Sequence, residues 1–510
     1  MMEKRSKGNR KKLGILTAAI ALLIAIIEGA LSLWRTRVVL MTFGDETNAI
    51  MQVAVQITAY LVLLESGMTV AYQLKLYKPL SEKDKPRISS LMKGLKTNLW
   101  NIVIKMFITV NICSLIYVFF LLNTEACSKY EAFMIFFIMG LRFVSPYLLT
   151  LSEKTVLFAC EKGYVANVFQ GILQSGTLLI EILLCKYTSL PLVAILSSYI
   201  FAVIIVKFMY VWYRKKILNI EFEHDVVADL APKEMTKDIL LHQISGMVAT
   251  NTDNILLSIM SSLTNVTIYS SYNTVLNYPV TLFTTITNSM KASVIIKIQN
   301  HDSNAFQTYE NVLRLSSLVM AIVTSVFMVQ INRFITLWVG EKYLLNSICI
   351  AFFSYILYNR VVLNVLTIGI DAKGYYKETK QYAIAQAIVN LGLTLLLIPL
   401  FGIEGALIGT VVSIALVKEP MMSRFVYKNV FGKKNNGSKI VYSGLISAVV
   451  AAIVSYLLTR KVEAESISGF LFTSVIVAVI ASCIVCVCFF VFERDVFKLF
   501  KKSIRIERKK

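Results

Sequence analysis

Residues 13–34 read LGILTAAIALLIAIIEGALSLW. One carboxylate, Glu28, interrupts a stretch otherwise free of charge. A helix across a bilayer takes about 20 such residues. Lys4, Arg5, Lys7, Arg10, Lys11 and Lys12 precede it, as basic residues precede the core of a secretory signal. A signal has a shorter apolar core and a small-residue cleavage site. Here the run continues into Trp34, so it reads as an uncleaved first membrane helix.

The same reading repeats along the chain. Fourteen segments qualify as spans: 13–41, 47–72, 99–122, 130–151, 164–184, 189–211, 238–260, 267–290, 312–331, 344–370, 380–400, 403–426, 439–459 and 468–492. The fifth and sixth are weakly separated, as are the eleventh and twelfth, so twelve or thirteen spans is the alternative count. The composition agrees: 56% of the 510 residues are hydrophobic and 16% are charged, against roughly 25% charged in soluble domains. The expected fold is an all-α integral membrane protein.

A net charge of +21 would suit nucleic acid, but its placement points elsewhere. The cations sit in the N-terminal tail, in alternate loops and in the C-terminal tail. Lys75, Lys78, Lys83, Lys85, Arg87, Lys93 and Lys96 fill the second inner loop. Later inner loops hold Arg214, Lys215 and Lys216, then Lys373 and Lys377, then Lys428, Lys433 and Lys434. The loops Asn123–Lys129, Ser261–Val266 and Phe401–Glu404 are poor in positive charge. That asymmetry places basic loops and both termini in the cytoplasm, with an even number of spans. Nucleic acid is not an expected partner.

A polar interruption at 213–237, with Glu221, Glu223, His224, Asp225 and Asp229, divides twelve helices into two sets of six. The expected organisation is a basic cytoplasmic tail (1–12), an N-terminal six-helix lobe (13–212), a cytoplasmic inter-lobe loop (213–237), a C-terminal six-helix lobe (238–428), an additional helix pair (429–492) and a second basic tail (493–510). The added pair is expected to be removable after about Lys434 without unfolding the rest.

No catalytic constellation competes with transport. There is no Gly-x-x-x-x-Gly-Lys-Ser/Thr phosphate loop. The three histidines in the chain make a histidine metal centre improbable, and Cys483, Cys486 and Cys488 lie in an apolar run with no polar partners to orient them. No metal and no cofactor are expected. Gly405 and Gly409, four apart, have the spacing of closely packed membrane helices.

Charges inside spanning helices are costly and point to function or to a structural pair. They are Glu28, Arg35, Arg37, Glu65, Lys105, Arg142, Glu181, Lys207, Asp253, Lys291, Arg314, Arg360 and Lys418, with cations in excess. Glu28 and Arg35, seven apart, share a helix face, and Glu419 adjoins Lys418 as its nearest neutralising group. Pro146, four residues after Arg142, is positioned to open that helix. Cations lining a wet cavity suit a phosphate or diphosphate.

Several segments resemble the polysaccharide flippases of the multidrug/oligosaccharidyl-lipid/polysaccharide exporter superfamily. Arg35 followed by Phe43-Gly44 resembles their first helix. Leu64-Glu65-Ser66-Gly67-Met68 resembles the end of the second, and Leu76-Tyr77-Lys78-Pro79-Leu80-Ser81-Glu82-Lys83-Asp84 the loop that follows. Asn251-Thr252-Asp253-Asn254-Ile255-Leu256-Leu257 resembles the start of their second half, and Phe401-Gly402-Ile403-Glu404-Gly405-Ala406-Leu407-Ile408-Gly409-Thr410 a late helix junction. The resemblance implies two six-helix lobes around a central cavity and a non-enzymatic activity. It implies flipping of undecaprenyl-pyrophosphate-linked oligosaccharides from the inner to the outer leaflet of a bacterial plasma membrane, by alternating access. Arg35, Arg142, Lys291 and Lys418 match its cavity cations; Asp253, with Glu28 and Glu65, is a coupling or structural candidate. Lipid-linked oligosaccharide, membrane lipids and a polysaccharide polymerase with its co-polymerase are the implied partners. The added helix pair resembles that of peptidoglycan-precursor flippases. A peptidoglycan precursor as cargo and a cation-coupled multidrug exporter are the alternatives. A membrane polymerase or ligase would need a large extracytoplasmic loop bearing polar catalytic groups, which the chain lacks.

Overall fold

A computed structural model of the chain describes residues 2–65, 68–223, 225–230, 237–460, 462 and 466–493. The described residues contain no β-strand. They divide into two compact units, Met1–Leu240 and Leu241–Lys510. Among the described residues eleven helices are long and apolar enough to cross a membrane. Residues 494–510 of the basic tail, and His224 and residues 231–236 of the inter-lobe segment, lie outside the described residues.

The first unit holds α1 (Met2–Ala59), α2 (Val62–Glu65), α3 (Met68–Glu82), α4 (Lys85–Ile116), α5 (Lys129–Leu149), α6 (Leu151–Ala159), α7 (Gly163–Tyr187) and α8 (Leu192–Trp212). α1 covers the first expected span and the start of the second in two pieces that meet at Gly44, whose φ of 82° and ψ of 175° break the helix. A Cβ would be strained there, so glycine marks the joint. The expected span 47–72 is not one helix: it ends at Ala59 and resumes as α2 and α3. Much of the expected basic loop is helical too, in α3 and the start of α4. Asp84 caps α4 by accepting from the Arg87 N–H at 3.0 Å, and Ser128 with Glu131 forms a capping box on α5. The fifth and sixth expected spans are distinct helices, α7 and α8, separated by residues 188–191.

The second unit holds α9 (Lys237–Asn251), α10 (Asp253–Met260), α11 (Leu263–Gln299), α12 (Ala305–Trp338), α13 (Ser347–Leu366), α14 (Ile368–Lys373), α15 (Tyr376–Phe401), α16 (Ile403–Val412), α17 (Glu419–Phe425), α18 (Gly437–Thr459) and α19 (Ile467–Phe492). α9 begins just before the unit boundary. α11 is 37 residues long yet is absent from the eleven apolar helices, because Asn, Thr, Ser and Tyr recur along it. α15 and α16 are separated by Gly402 at φ 55°, a left-handed conformation that lets the chain turn straight back. The two helices then pack so closely that a Cβ on Gly405 would overlap the Leu397 carbonyl, and one on Gly409 would overlap Thr394. The Gly-xxx-Gly spacing is therefore a close-packing device, as the sequence suggests.

Apolar side chains face outward, the inverse of a soluble domain. On α8, Phe201, Ile205 and Phe208 are each more than 60% exposed. Exposed apolar faces of that kind recur on α4, α7, α15, α18 and α19, and together they make a lipid-facing surface. The chain is a multi-pass membrane protein.

The added helix pair is part of the second unit. α18 and α19 pack along α12. Ser317 and Ser325 of α12 donate hydroxyl bonds to the Ile440 and Ala448 carbonyls of α18 at 3.1 and 3.0 Å, and Tyr358 donates to Val441 at 3.0 Å. Arg314 pairs with Glu310 and with Glu493, both at 3.1 Å and all three buried. Truncation of the expected removable pair would strand buried hydroxyls and a buried guanidinium.

Candidate functional site

In the first unit three expected or possible site charges meet. α1 carries Arg35, α5 carries Arg142, and α7 brings Glu181 between them. Arg35 Nε donates to Glu181 Oε2 at 3.0 Å, and Arg142 Nη1 donates to Glu181 Oε1. Arg142 also donates to the Leu196 carbonyl at 2.9 Å, and its guanidinium sits 4.7 Å over the Tyr199 ring. Glu181 is 1% exposed; the two arginine side chains are 12% and 17% exposed. One carboxylate thus holds two guanidinium groups, and the cluster keeps one net positive charge. Glu28 does not link to Arg35 and makes no ion pair or hydrogen bond among the described residues. Pro146 does not open α5, which continues to Leu149. The Arg142 carbonyl that proline leaves without a backbone donor receives the Ser145 hydroxyl at 3.3 Å instead.

Glu65 has a local role. Its carboxylate accepts from the Thr69 N–H at 2.9 Å and from the Thr69 hydroxyl, capping the first turn of α3. It lines a 270 Å³ cavity with Tyr147, Gln170 and Lys154. Lys154, on α6 beyond the spanning part of α5, makes no ion pair among the described residues, and burial pulls its ammonium below the usual lysine range.

In the second unit a 650 Å³ cavity gathers Asp253, Arg360, Asp371 and Lys418. Lys418 closes a π-helical turn, Ser413–Lys418. Pro420 follows two residues later and has no N–H to donate back to that turn, which accounts for the wider winding. The turn sends Lys418 and Glu419 to different sides. Lys418 lines the cavity with Arg360, whereas Glu419 is fully buried beside Ser438, Tyr442 and Arg424. The expected neutralisation of Lys418 by Glu419 is thus not made: no salt bridge joins them. Arg360 Nη1 donates to Asn277 Oδ1 at 2.6 Å. Asp253 is buried and accepts from the Tyr269 hydroxyl, while its Oδ1 has no hydrogen-bond partner at acceptable geometry and lies beside Thr410. Lys291 pairs with Asp371 at 2.5 Å, and Asp371 also accepts from Tyr376 at 2.8 Å.

The first unit thus joins Arg35 and Arg142 through Glu181, and the second-unit cavity gathers Arg360 and Lys418 with Asp253 and Asp371. Among the described residues no group of His, Cys, Asp and Glu is placed to hold a metal.

Residues 166–347 match the family described as "Polysaccharide biosynthesis protein". The fold matches the inward closed conformation of the lipid II flippase MurJ with a TM-score of 0.69, at 15% identity, over 95% of this chain and 100% of that one. It also matches an inward-facing multidrug resistance MATE family transporter of the MOP superfamily, with a TM-score of 0.57, at 12% identity, over 91% of this chain and 98% of that one. The multidrug transporter DinF-BH matches with a TM-score of 0.54, at 13% identity, over 83% of this chain and 97% of that one. The family match covers part of the chain, and the structural likenesses show a shared fold. The similar structures are those of a flippase and of transporters, not of enzymes. No curated protein matches the chain.

Three site features escape the sequence reading. Glu181 and Arg360 stand out as intramembrane charges, but nothing in their spacing says that one joins Arg35 to Arg142 or that the other joins Lys418. Asp371 lies in a segment that reads as a helix end. The polar wall of the cavity did leave a signal: 267–290 is an expected span with far more Asn, Thr and Ser than its neighbours.

Proposed function

We propose that the chain flips undecaprenyl-pyrophosphate-linked oligosaccharide repeat units from the inner to the outer leaflet of a bacterial plasma membrane, by alternating access, for cell-surface polysaccharide synthesis. Both termini face the cytoplasm in this reading. A polysaccharide polymerase and its co-polymerase act next on the product.

The observation that carries it is the second-unit cavity, where Arg360 and Lys418 have no salt bridge to a carboxylate among the described residues. Two cations side by side in a low-dielectric site repel each other, and a diphosphate relieves that repulsion. Arg360 supplies a fork for two phosphate oxygens and Lys418 a point charge. Within the second unit Lys291 contributes once Asp371 releases it, and in the first unit Arg35 and Arg142 keep the single net charge left after Glu181. A site for cationic, apolar drugs would show the opposite balance, with carboxylates in excess.

The test is complementation in a strain that makes a surface polysaccharide and lacks its own flippase. Arg360→Ala and Lys418→Ala should each reach the membrane in normal amounts and lower surface polysaccharide about tenfold or more, the scale of one lost charge-assisted contact. Arg360→Lys should fall between wild type and Arg360→Ala. Normal surface polysaccharide in the Arg360→Ala, Lys418→Ala double variant would reject the assignment.

A further inference from the structure

We propose that the second-unit cavity reads the sugar of the cargo through a ladder of uncharged amides, and that this ladder, rather than the cations, sets saccharide specificity. The inference rests on the flippase reading and adds the part of the cargo that the cations do not explain.

α11 is long enough to cross a bilayer and is too polar to face lipid along its whole length. Its polar residues form one stripe. Asn273, Asn277, Thr284 and Asn288, at helical spacing, all line the cavity. Across from them α13 presents Asn359 and Asn364. A spanning helix keeps such a face only against protein or water, and here it faces a cavity.

The hydrogen-bond state of these amides selects the ligand. Asn277 is committed to Arg360, and Asn364 Nδ2 donates to Asn288 Oδ1 at 3.2 Å. Asn359 donates to the Tyr355 carbonyl at 3.0 Å, leaving its own Oδ1 without a partner, and Asn273 Oδ1 is also without one. The unpaired atoms are acceptors and require donors. An ionised phosphate oxygen accepts only, so it cannot satisfy them. A quaternary ammonium has no N–H to give. A sugar hydroxyl donates and accepts, and neighbouring hydroxyls match the donor and acceptor of one amide. The cavity, at 650 Å³, falls within the ~300–1,000 Å³ of small-ligand pockets. Tyr376 is the single aromatic residue among those that line it, so recognition proceeds by hydrogen bonds rather than ring stacking. The geometry places the anion-binding pair, Arg360 and Lys418, in the same cavity as the amides, as a sugar joined directly to a diphosphate requires.

The test uses the purified full-length protein in detergent and two probes. One is undecaprenyl diphosphate without sugar. The other is the lipid-linked saccharide fraction extracted from cells that carry the protein. Wild type should bind the saccharide-bearing lipid about tenfold more tightly than the bare carrier, the effect of one or two neutral hydrogen bonds. Asn273→Leu with Asn359→Leu, which removes both unpaired acceptors, should remove that preference and leave binding of the bare carrier unchanged. Asn273→Val with Asn359→Val carries the same expectation should the leucine pair not fold. Equal wild-type binding of the two probes, or an equal loss of both in the folded variant pair, would overturn the inference and leave the flippase reading standing. Failure of wild type to bind either probe would instead reject the flippase reading on which it rests.

Discussion

Glu181→Gln isolates the arginine cluster of the first unit. The substitution keeps side-chain volume and removes the one carboxylate that Arg35 and Arg142 reach among the described residues. Removing one partner of a buried pair costs about 3–5 kcal/mol, because the remaining charge stays desolvated. Two features lower the figure. The arginine side chains keep 12% and 17% exposure, enough to recruit water, and Arg142 retains the Leu196 carbonyl and the Tyr199 ring. Glutamine can also still accept one hydrogen bond. The expected loss is therefore about 3 kcal/mol, at the lower end of that range. Two guanidinium groups are stranded together, so adding Arg35→Gln should recover about 1 kcal/mol or more, a coupling within the usual span for residues in contact. The assay is unfolding of the purified protein in detergent, with wild type, both single variants and the double variant forming a cycle. Wild-type stability in Glu181→Gln, or a double variant equal to the sum of the singles, would refute the reasoning.

Three further expectations follow from packing and topology. Gly405→Ala should lower the yield of folded protein sharply, since its Cβ would meet the α15 backbone, which cannot yield as a flexible side chain would; normal yield would show that α15 and α16 can separate. Truncation after Lys434 should leave little folded protein in the membrane, because Ser317, Ser325, Tyr358 and Arg314 lose their partners on α18 and at Glu493; an intact remainder with normal stability would restore the sequence expectation of a removable pair. Reporter fusions at Lys237 and Lys510 should both read cytoplasmic, and an extracytoplasmic Lys510 would contradict the even count of spans.

The fold class was legible because hydropathy runs and the alternation of basic loops are local properties of the chain. Helix limits were less so. Gly44 joins two expected spans, and residues 47–72 break into three pieces because Glu65 caps a new helix at Thr69, an interaction with no hydropathy signature. The charges were visible one by one, but their pairing is set by packing. Glu181 lies 146 residues from Arg35 and 39 from Arg142, so no spacing rule connects them. Lys418 and Glu419 show the opposite case: adjacency suggests neutralisation, while a π-helical turn before Pro420 sends the two to different sides. The amide stripe of α11 was present in the sequence as Asn273, Asn277 and Asn288, and its meaning depends on the cavity it faces.

The most direct measurement of the central claim is translocation in proteoliposomes. Purified protein is reconstituted with lipid-linked oligosaccharide from a polysaccharide-producing strain, labelled on the sugar, and the fraction accessible to an externally added glycosidase is followed with time. The account predicts that the protected label becomes accessible in liposomes containing the wild-type chain. It predicts that accessibility stays at the protein-free level with the Arg360→Ala, Lys418→Ala double variant. Protection unchanged by the wild-type chain, in vesicles where the same preparation moves an apolar organic cation, would contradict it and favour a drug exporter.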